Sequence, residues 1–246
     1  MGRKGPDKHL KRHQSPAFWP IERKEGVWAT KPKPGPHSQG ASMPLSILIR
    51  DELKYAKTAR ESKYLVKLGK ILVDGKPRLD QRFPVGLMDT VTIPDTGEHF
   101  RVLPDHNGKL RLQPVSEDEA KFKLVRITGK KTLQGRRTQL NFHDGQNLIV
   151  PAEADSYKVN DVIKLKVPEK ETLEHIEFKE MQQIIVTGGR SQGAQGVMTG
   201  LGPEPGWKKT CTIRTTQGED IRTLLGYVFV VGSKQPVITL NKGEGQ

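Results

Sequence analysis

Between residues 42 and 93 the apolar positions recur first at helical and then at strand spacing. Leu45, Leu48, Ile49, Leu53 and Ala56 fall on one stripe of a helix. Ser42 is placed to cap that helix, with Pro44 in its first turn. Thr58 and Glu61 form a capping box that opens a second helix. Tyr64, Leu65 and Leu68 would be the buried face of that helix and Gly69 its stop. Ile71-Leu72-Val73 reads as a strand closed by a tight turn at Asp74-Gly75. Phe83-Pro84 and Gly86 mark a further turn, and Val91-Thr92-Ile93 a closing strand.

Residues 94–175 read as β structure with one short helix. Phe100 to Leu103 and Leu110 to Leu112 flank Asn107-Gly108, a hairpin signal, and Ser116 with Glu119 is a second capping box. Lys121 to Ile127 alternates polar and apolar, as a half-buried strand does. Thr138 to Phe142, a turn at Asp144-Gly145 and Leu148-Ile149-Val150 predict another hairpin, and Val162 to Val167 a further strand. In residues 176–246, strands at Ile184 to Val186, Val197-Met198, Cys211 to Arg214 and Tyr227 to Val231 surround a glycine-rich loop, Gly188 to Gly196. Close turns between short strands suggest a small barrel. Thr216-Gln217-Gly218 reads as a turn, and Asn241 to Gln246 should fray.

Residues 1–40 keep neither period. Pro and Gly recur, and basic residues alternate with Phe18, Trp19 and Trp28. Such a segment is either a tail whose aromatics anchor it to the next unit or an arm that orders on RNA, cations on phosphates and rings on bases. The expected class is α+β and mostly β, in four parts: a basic extended arm (1–41), a small α/β unit (42–93), a central β domain (94–175) and a C-terminal β unit (176–246).

Charge sharpens this picture. The 246 residues carry 41 Lys and Arg against 28 Asp and Glu, a net of +13. The first 93 residues hold 19 basic and 9 acidic residues, so +10 of the +13 lies there. A surplus of this kind attracts a polyanion and releases counterions on contact. Arg50, Lys54 and Lys57 sit at i, i+4 and i+7 and so share one face of the first helix, and Arg60, Lys63 and Lys67 share one face of the second. Each stripe could be a solvated face paired with Asp51, Glu52 and Glu61, but two stripes beside a cationic arm favour phosphate contact. Gly129-Lys130-Lys131 and Gly135-Arg136-Arg137 place further cations on predicted loops.

Other chemistries find little support. No apolar run approaches the ~20 residues a membrane span needs. The N-terminus lacks a signal-peptide core, and Pro6 breaks a myristoylation pattern. Cys211 is the single cysteine, which excludes an intramolecular disulfide or a multi-thiolate zinc site and points to an intracellular protein. The seven histidines form no metal-binding pair, and no nucleophile motif, P-loop or dinucleotide fingerprint is present. The glycine loop runs into Thr199-Gly200-Leu201-Gly202-Pro203, which cannot be a helix. It is a turn needing positive φ, a flat backbone surface against RNA, or both. No cofactor, metal or small-molecule substrate is expected.

The chain resembles the ribosomal protein S4e family over essentially its whole length. The resemblance is carried by Met1 to Arg12, Gly26-Val27-Trp28-Ala29, Pro34-Gly35-Pro36-His37, and Val73 to Arg78 with Asp80, Arg82-Phe83-Pro84, Gly86 and Asp89, together with Val186 to Arg190, Gly193 and Gly196. It implies an alpha-L type RNA-binding domain at 42–93, a central β domain, and a KOW-type barrel from about residue 178. It also implies a cytoplasmic protein of the small ribosomal subunit, with small-subunit ribosomal RNA and neighbouring ribosomal proteins as partners and no catalysis. The candidate RNA-binding set is Arg3, Lys4, Lys8, Lys11, Arg12, Trp19, Arg23, Lys24, Trp28, Lys31 and Lys33 in the arm. Arg50, Lys54, Lys57, Arg60, Lys63, Lys67, Lys76, Arg78 and Arg82 follow in the next unit, then Lys130, Lys131, Arg136, Arg137 and Arg190. The rival readings are an RNA-modifying enzyme with an RNA-delivery module and a transcription-elongation accessory protein.

Overall fold

The helical stripe after residue 44 is used, but in a shorter element than the sequence predicts. In the computed structural model, which describes residues 9–22, 24, 26–151, 156–202, 210–216 and 218–240, an α-turn at Leu45–Ile47 passes into a π-turn at Leu48–Glu52. Leu45, Leu48, Ile49 and Ala56 are buried as expected. Ser42 is not the cap. It lies in the short strand Ser42–Pro44, its hydroxyl donates to the Ser38 carbonyl at 2.7 Å, and Pro44 holds the N-cap position. The second helix, Ala59–Lys67, has both bonds of the Thr58–Glu61 capping box, and Gly69 (φ +73°) ends it. Its buried face is Ser62 and Val66, however, while Tyr64 is 64% exposed and Leu68 49% exposed. The Ser62 hydroxyl donates to the Ser46 carbonyl at 3.2 Å. This small residue lets the two helical segments meet closely and rotates the larger side chains outward.

Three five-stranded antiparallel sheets follow. The first runs in the order Lys76–Pro77, Leu72–Val73, Thr90–Ile93, Glu98–Pro104, Leu110–Pro114. The Asp74-Gly75 turn has positive φ at both residues, 52° and 70°, as a primed hairpin turn requires. The sheet crosses the expected boundary at residue 93: Thr90–Ile93 pairs directly with Glu98–Pro104. The hairpin at Asn107-Gly108 therefore extends the first unit, because its strand completes that sheet rather than opening a new one.

The second sheet is ordered Asn147–Pro151, Arg137–Phe142, Phe122–Leu133, Val162–Lys166, Thr172–Ile176. The long strand Phe122–Leu133 pairs with one neighbour through Phe122 to Arg126 and with the other from Ile127 onward, shifting register between Ile127 and Gly129. It thus carries Gly129, Lys130 and Lys131 in strand, not in the loop the sequence suggests; Arg136 alone of that basic group sits in the turn, at φ +51°. Phe122 and Leu124 face one core, and Val125 and Ile127 face another. A strand covered on both faces leaves no route to water for a polar residue at its start.

The third sheet is ordered Asp220–Leu224, Thr210–Thr215, Gln195–Gly202, Gln183–Val186, Val228–Gly232. Its core is continuous with the other units. Met88 and Leu103 from the first sheet and Phe122, Leu124, Val162 and Ile176 from the second pack with Ile185, Met198, Ile213 and Phe229. The units therefore form one body with merged cores. Asn241 to Gln246 and Gln217 lie outside the described residues.

Candidate nucleic-acid interface

The arm is folded onto the body. Leu10–Lys11 pairs with Trp28–Ala29, and Leu10 and Trp19 join the core of the first unit. The Trp19 indole N–H donates to the Ser42 carbonyl at 2.8 Å, and the ring is 2% exposed. Of the two roles open to it, Trp19 takes the anchor, because a buried, hydrogen-bonded indole cannot stack on a base. Trp28 is 60% exposed and lies tilted against His9, ring centroids 5.4 Å apart. Arg12 is turned inward: its guanidinium donates to the Ile21 carbonyl and, at 3.0 Å, to Ser15 Oγ, which closes the arm on itself. Lys11 and Lys24 are exposed, Lys31 is half-buried, and Lys33 is paired with Asp80 at 2.5 Å. Arg3, Lys4, Lys8 and Arg23 lie outside the described residues.

On the helical unit the two cationic stripes differ. The first does not exist as a stripe, because the π-turn ends at Glu52 and Lys54 adopts a left-handed φ of 58°. Arg50 is clamped on Asp51 through two bonds of 2.8 and 2.7 Å, and Lys57 lies in the loop before the second helix, its backbone N–H donating to Glu61 at 2.8 Å. Arg60, Lys63 and Lys67 are all exposed on the helix Ala59–Lys67, and among the described residues none makes an ion pair. Tyr64, whose place on the helical stripe predicts burial, is turned outward beside them and offers an aromatic surface. A helix that buries only Ser62 and Val66 leaves such a residue no interior to enter.

Lys76 and Arg82 are exposed, while the Arg78 guanidinium lies over the Phe83 ring at 4.2 Å. On the second sheet Lys131, Arg136 and Arg137 are exposed, and Lys130 donates to the Tyr157 carbonyl at 3.0 Å. Arg190 is exposed at the glycine loop. That loop is built for close contact with protein. A Cβ at Gly193 would sit 2.6 Å from the Asp105–His106 backbone, and Gln192 donates to the Lys109 carbonyl at 3.4 Å. The loop thus seats the third sheet on the hairpin of the first.

The feature least visible in the sequence lies where arm, first unit and second sheet meet. Lys123, at the start of Phe122–Leu133, is fully buried, with its ammonium 2.9 Å from Asp74, 2.5 Å from Asp89 and 3.0 Å from Asp144. His37 Nε2 lies 3.0 Å from Asp89 Oδ1, and the Gly86 N–H donates to Asp89 Oδ2 at 2.9 Å. A Cβ on Gly86 would collide with the His37 ring, so a glycine is required there. Burial works to lower Lys123, but Asp89, Asp74 and Asp144 outweigh it and hold the ammonium well above its ordinary range. Burial likewise works to raise Asp89 and Asp144, yet Lys123 with a neighbouring histidine keeps both below the usual carboxylate range. Asp74 is the exception: burial and the nearby Asp89 leave it raised. His37, Asp74, Gly86 and Asp89 belong to the motifs that carried the family resemblance, and their signal is structural: they join the parts.

An outward cationic helix on a mostly β body with a folded-down basic arm is the arrangement expected of a nucleic-acid-binding protein. Family models match along the chain in the same order: the RS4NT (NUC023) domain at residues 4–39, the S4 domain at 43–91 and the ribosomal family S4e at 96–172. The small ribosomal subunit protein eS4 of Methanothermobacter thermautotrophicus is 47% identical over 238 residues, covering 96% of this chain and 97% of that protein. The protein of the same name from Aeropyrum pernix is 43% identical over 251 residues, covering 99% of each. The crystal structure of the 30S ribosomal protein S4e from Thermoplasma acidophilum matches with a TM-score of 0.66 at 30% identity, over 78% of this chain and 96% of that one. The chain belongs to the ribosomal protein S4e family.

Proposed function

We propose that this protein is a non-enzymatic structural constituent of the small ribosomal subunit, residing in the cytoplasm and acting in translation and subunit assembly. It binds small-subunit ribosomal RNA and packs against neighbouring ribosomal proteins. The observation that carries the reading is the helix Ala59–Lys67, which holds Arg60, Lys63 and Lys67 outward without an ion pair among the described residues. Cations left unpaired on one face favour a polyanion, because each phosphate they meet releases counterions. Lys11, Lys24, Lys54, Lys57, Lys76 and Arg82 add exposed charge in the same part of the chain. Lys131, Arg136, Arg137 and Arg190 extend the contact to the β units. Trp28, exposed, can stack on an unpaired base, and recognition proceeds by RNA shape more than by base edges.

The spacing of Gly189, Gly193 and Gly196 supports reading the third sheet as a KOW-type barrel. Gly196 allows its strand to approach the Arg214 backbone, and Gly193 allows docking on the first sheet. In this reading the barrel fixes the geometry of the RNA-binding parts.

The test is the salt dependence of binding between the purified chain and small-subunit ribosomal RNA. With ~6–10 phosphate contacts the affinity falls about 10³–10⁵-fold between 50 and 200 mM salt. A flat salt response, or a chain that sediments in lysate away from the small subunit, overturns the proposal.

A further inference from the structure

A concave pocket of about 390 Å³ opens where three parts of the chain meet. Gly35-Pro36 of the arm form one wall, the segment Asp74 to Phe83 of the first unit a second, and Asp144 to Gln146 with Pro168 and Lys170 of the second sheet a third. Its size falls in the ~300–1,000 Å³ range of small-molecule sites and cannot admit a duplex. Resting on the ribosomal-RNA reading, we propose that this pocket seats one unpaired ribonucleotide of the RNA, its phosphate on Lys76, Lys170 and Arg78 and its base against the Arg78–Phe83 stack.

The charges support this assignment. Among the described residues Lys76, Arg78 and Lys170 make no ion pair, so three cations from two units converge on the pocket with no protein anion to satisfy them. Asp74 and Asp144 also reach the wall, but both are held on the Lys123 ammonium at 2.9 and 3.0 Å. Burial pushes Asp74 toward its neutral form as well. The charge free to meet a ligand is therefore positive.

The surfaces support a nucleotide over a bare anion. The Arg78 guanidinium carbon sits over the Phe83 ring, 4.2 Å from its centroid, and a planar guanidinium is a group on which bases stack. Arg78 Nε is buried and has no hydrogen-bond partner among the described residues, a donor left over inside the wall. Gln146, whose amide N–H donates to Asp144 at 2.9 Å, supplies a fixed polar edge opposite. The pocket exists only when the first unit and second sheet are docked, so an occupied seat reports the assembled form.

The ¹⁵N-labelled full chain is titrated with AMP, CMP, GMP and UMP, and in parallel with inorganic phosphate at matched ionic strength. The amides of Lys76, Gly145, Gln146 and Lys170 should shift saturably with at least one monophosphate. The midpoint should be in the millimolar range, about fivefold or more below that for phosphate, because the base adds stacking to the shared anion contact. Lys170 is exposed, so Lys170→Glu leaves the fold intact and should weaken the nucleotide about tenfold by replacing attraction with repulsion. Pocket amides that ignore all four monophosphates overturn the proposal, as do equal responses to phosphate and nucleotide, or a Lys170→Glu variant that binds like the parent. If these fail while RNA binding keeps its steep salt dependence, only the pocket assignment falls. If nucleotide titrates but RNA binding is flat in salt, the pocket stands and the ribosomal reading falls.

Discussion

Lys123 and the lysines of Ala59–Lys67 are the same chemical group in opposite surroundings. Lys63 and Lys67 stand in water with no partner among the described residues, while Lys123 has three carboxylates around its ammonium and no exposure to speak of. A solvated cation costs the fold nothing and remains available to a polyanion. A buried one is tolerated only where its partners recover the several kcal/mol that desolvation costs. The difference separates the charge that binds from the charge that assembles, although composition counts both alike. Arg101 is buried on other terms: its Nη2 donates to the Glu119 and Phe122 carbonyls at 2.6 and 2.9 Å, its Nε and Nη1 have no hydrogen-bond partner among the described residues, and burial pushes its pKa down to about 10.

The contrast breaks most directly at Lys123. Lys123→Met keeps much of the side-chain volume but strands Asp74, Asp89 and Asp144 without their shared cation. It should cost about 3–5 kcal/mol, the range for removing one member of a buried ion group. Urea denaturation measures this as a drop in midpoint, and a loss below about 1 kcal/mol would show the cluster to be dispensable.

At the surface the expected effect moves from stability to binding. Arg60→Ala, Lys63→Ala and Lys67→Ala together should leave the urea midpoint nearly unchanged and weaken ribosomal RNA binding by about tenfold or more, with the log–log salt slope shallower by ~2–3. Arg50→Ala is the control: its guanidinium is already committed to Asp51, so RNA affinity should hardly respond. If Arg50→Ala proves as damaging as the triple change, the distinction between paired and unpaired cations is not what selects the RNA-binding face.

Local signals were read well where local chemistry decides the outcome. The Thr58–Glu61 box, the Gly69 stop, the Asp74-Gly75 and Asn107-Gly108 turns and most strands stand where the sequence places them. Where the structure departs from the sequence pattern, two causes act: a neighbour distant in sequence, and a local break in the backbone. Tyr64 follows the helical stripe but faces out, because the contact through Ser62 and Ser46 sets the helix rotation. Lys123 follows an alternating pattern but is buried, because Asp74 and Asp89 of the first unit, with Asp144, close over the face that alternation would leave wet. Arg50, Lys54 and Lys57 share a face only on a continuous helix, which the π-turn interrupts. Of the candidate site, the exposed cations were legible as residue types. Which of them are spoken for by Asp51, Asp80 or a carbonyl was not, since a partner's position is a property of the fold.

The smallest effect tests whether the junction is tuned as well as paired. His143 receives the Arg126 backbone N–H on Nδ1 at 3.2 Å, and its Nε2 lies 3.2 Å from the Leu87 carbonyl, an acceptor. One nitrogen must therefore accept while the other donates, which only the neutral ring can do. Burial and the nearby Lys123 ammonium push its pKa down to about 4. A histidine whose folded value is depressed contributes stability that is complete above its unfolded value near 6.5 and is lost as pH falls toward the folded one. Asp89 and Asp144, also depressed, contribute stability that is present above their unfolded value of about 3.9 and lost only as pH falls through their lower folded values. His143 should thus contribute a loss on the order of 1–2 kcal/mol between pH 6.5 and 4, before the steeper loss at Asp89 and Asp144 begins, while Asp74, whose folded value is raised, works the other way in the lower part of that window. In His143→Gln the first slope should flatten and the second remain. Should the parent and His143→Gln trace parallel stability curves across that window, the ring is not held neutral by its surroundings, and the junction is paired but not tuned.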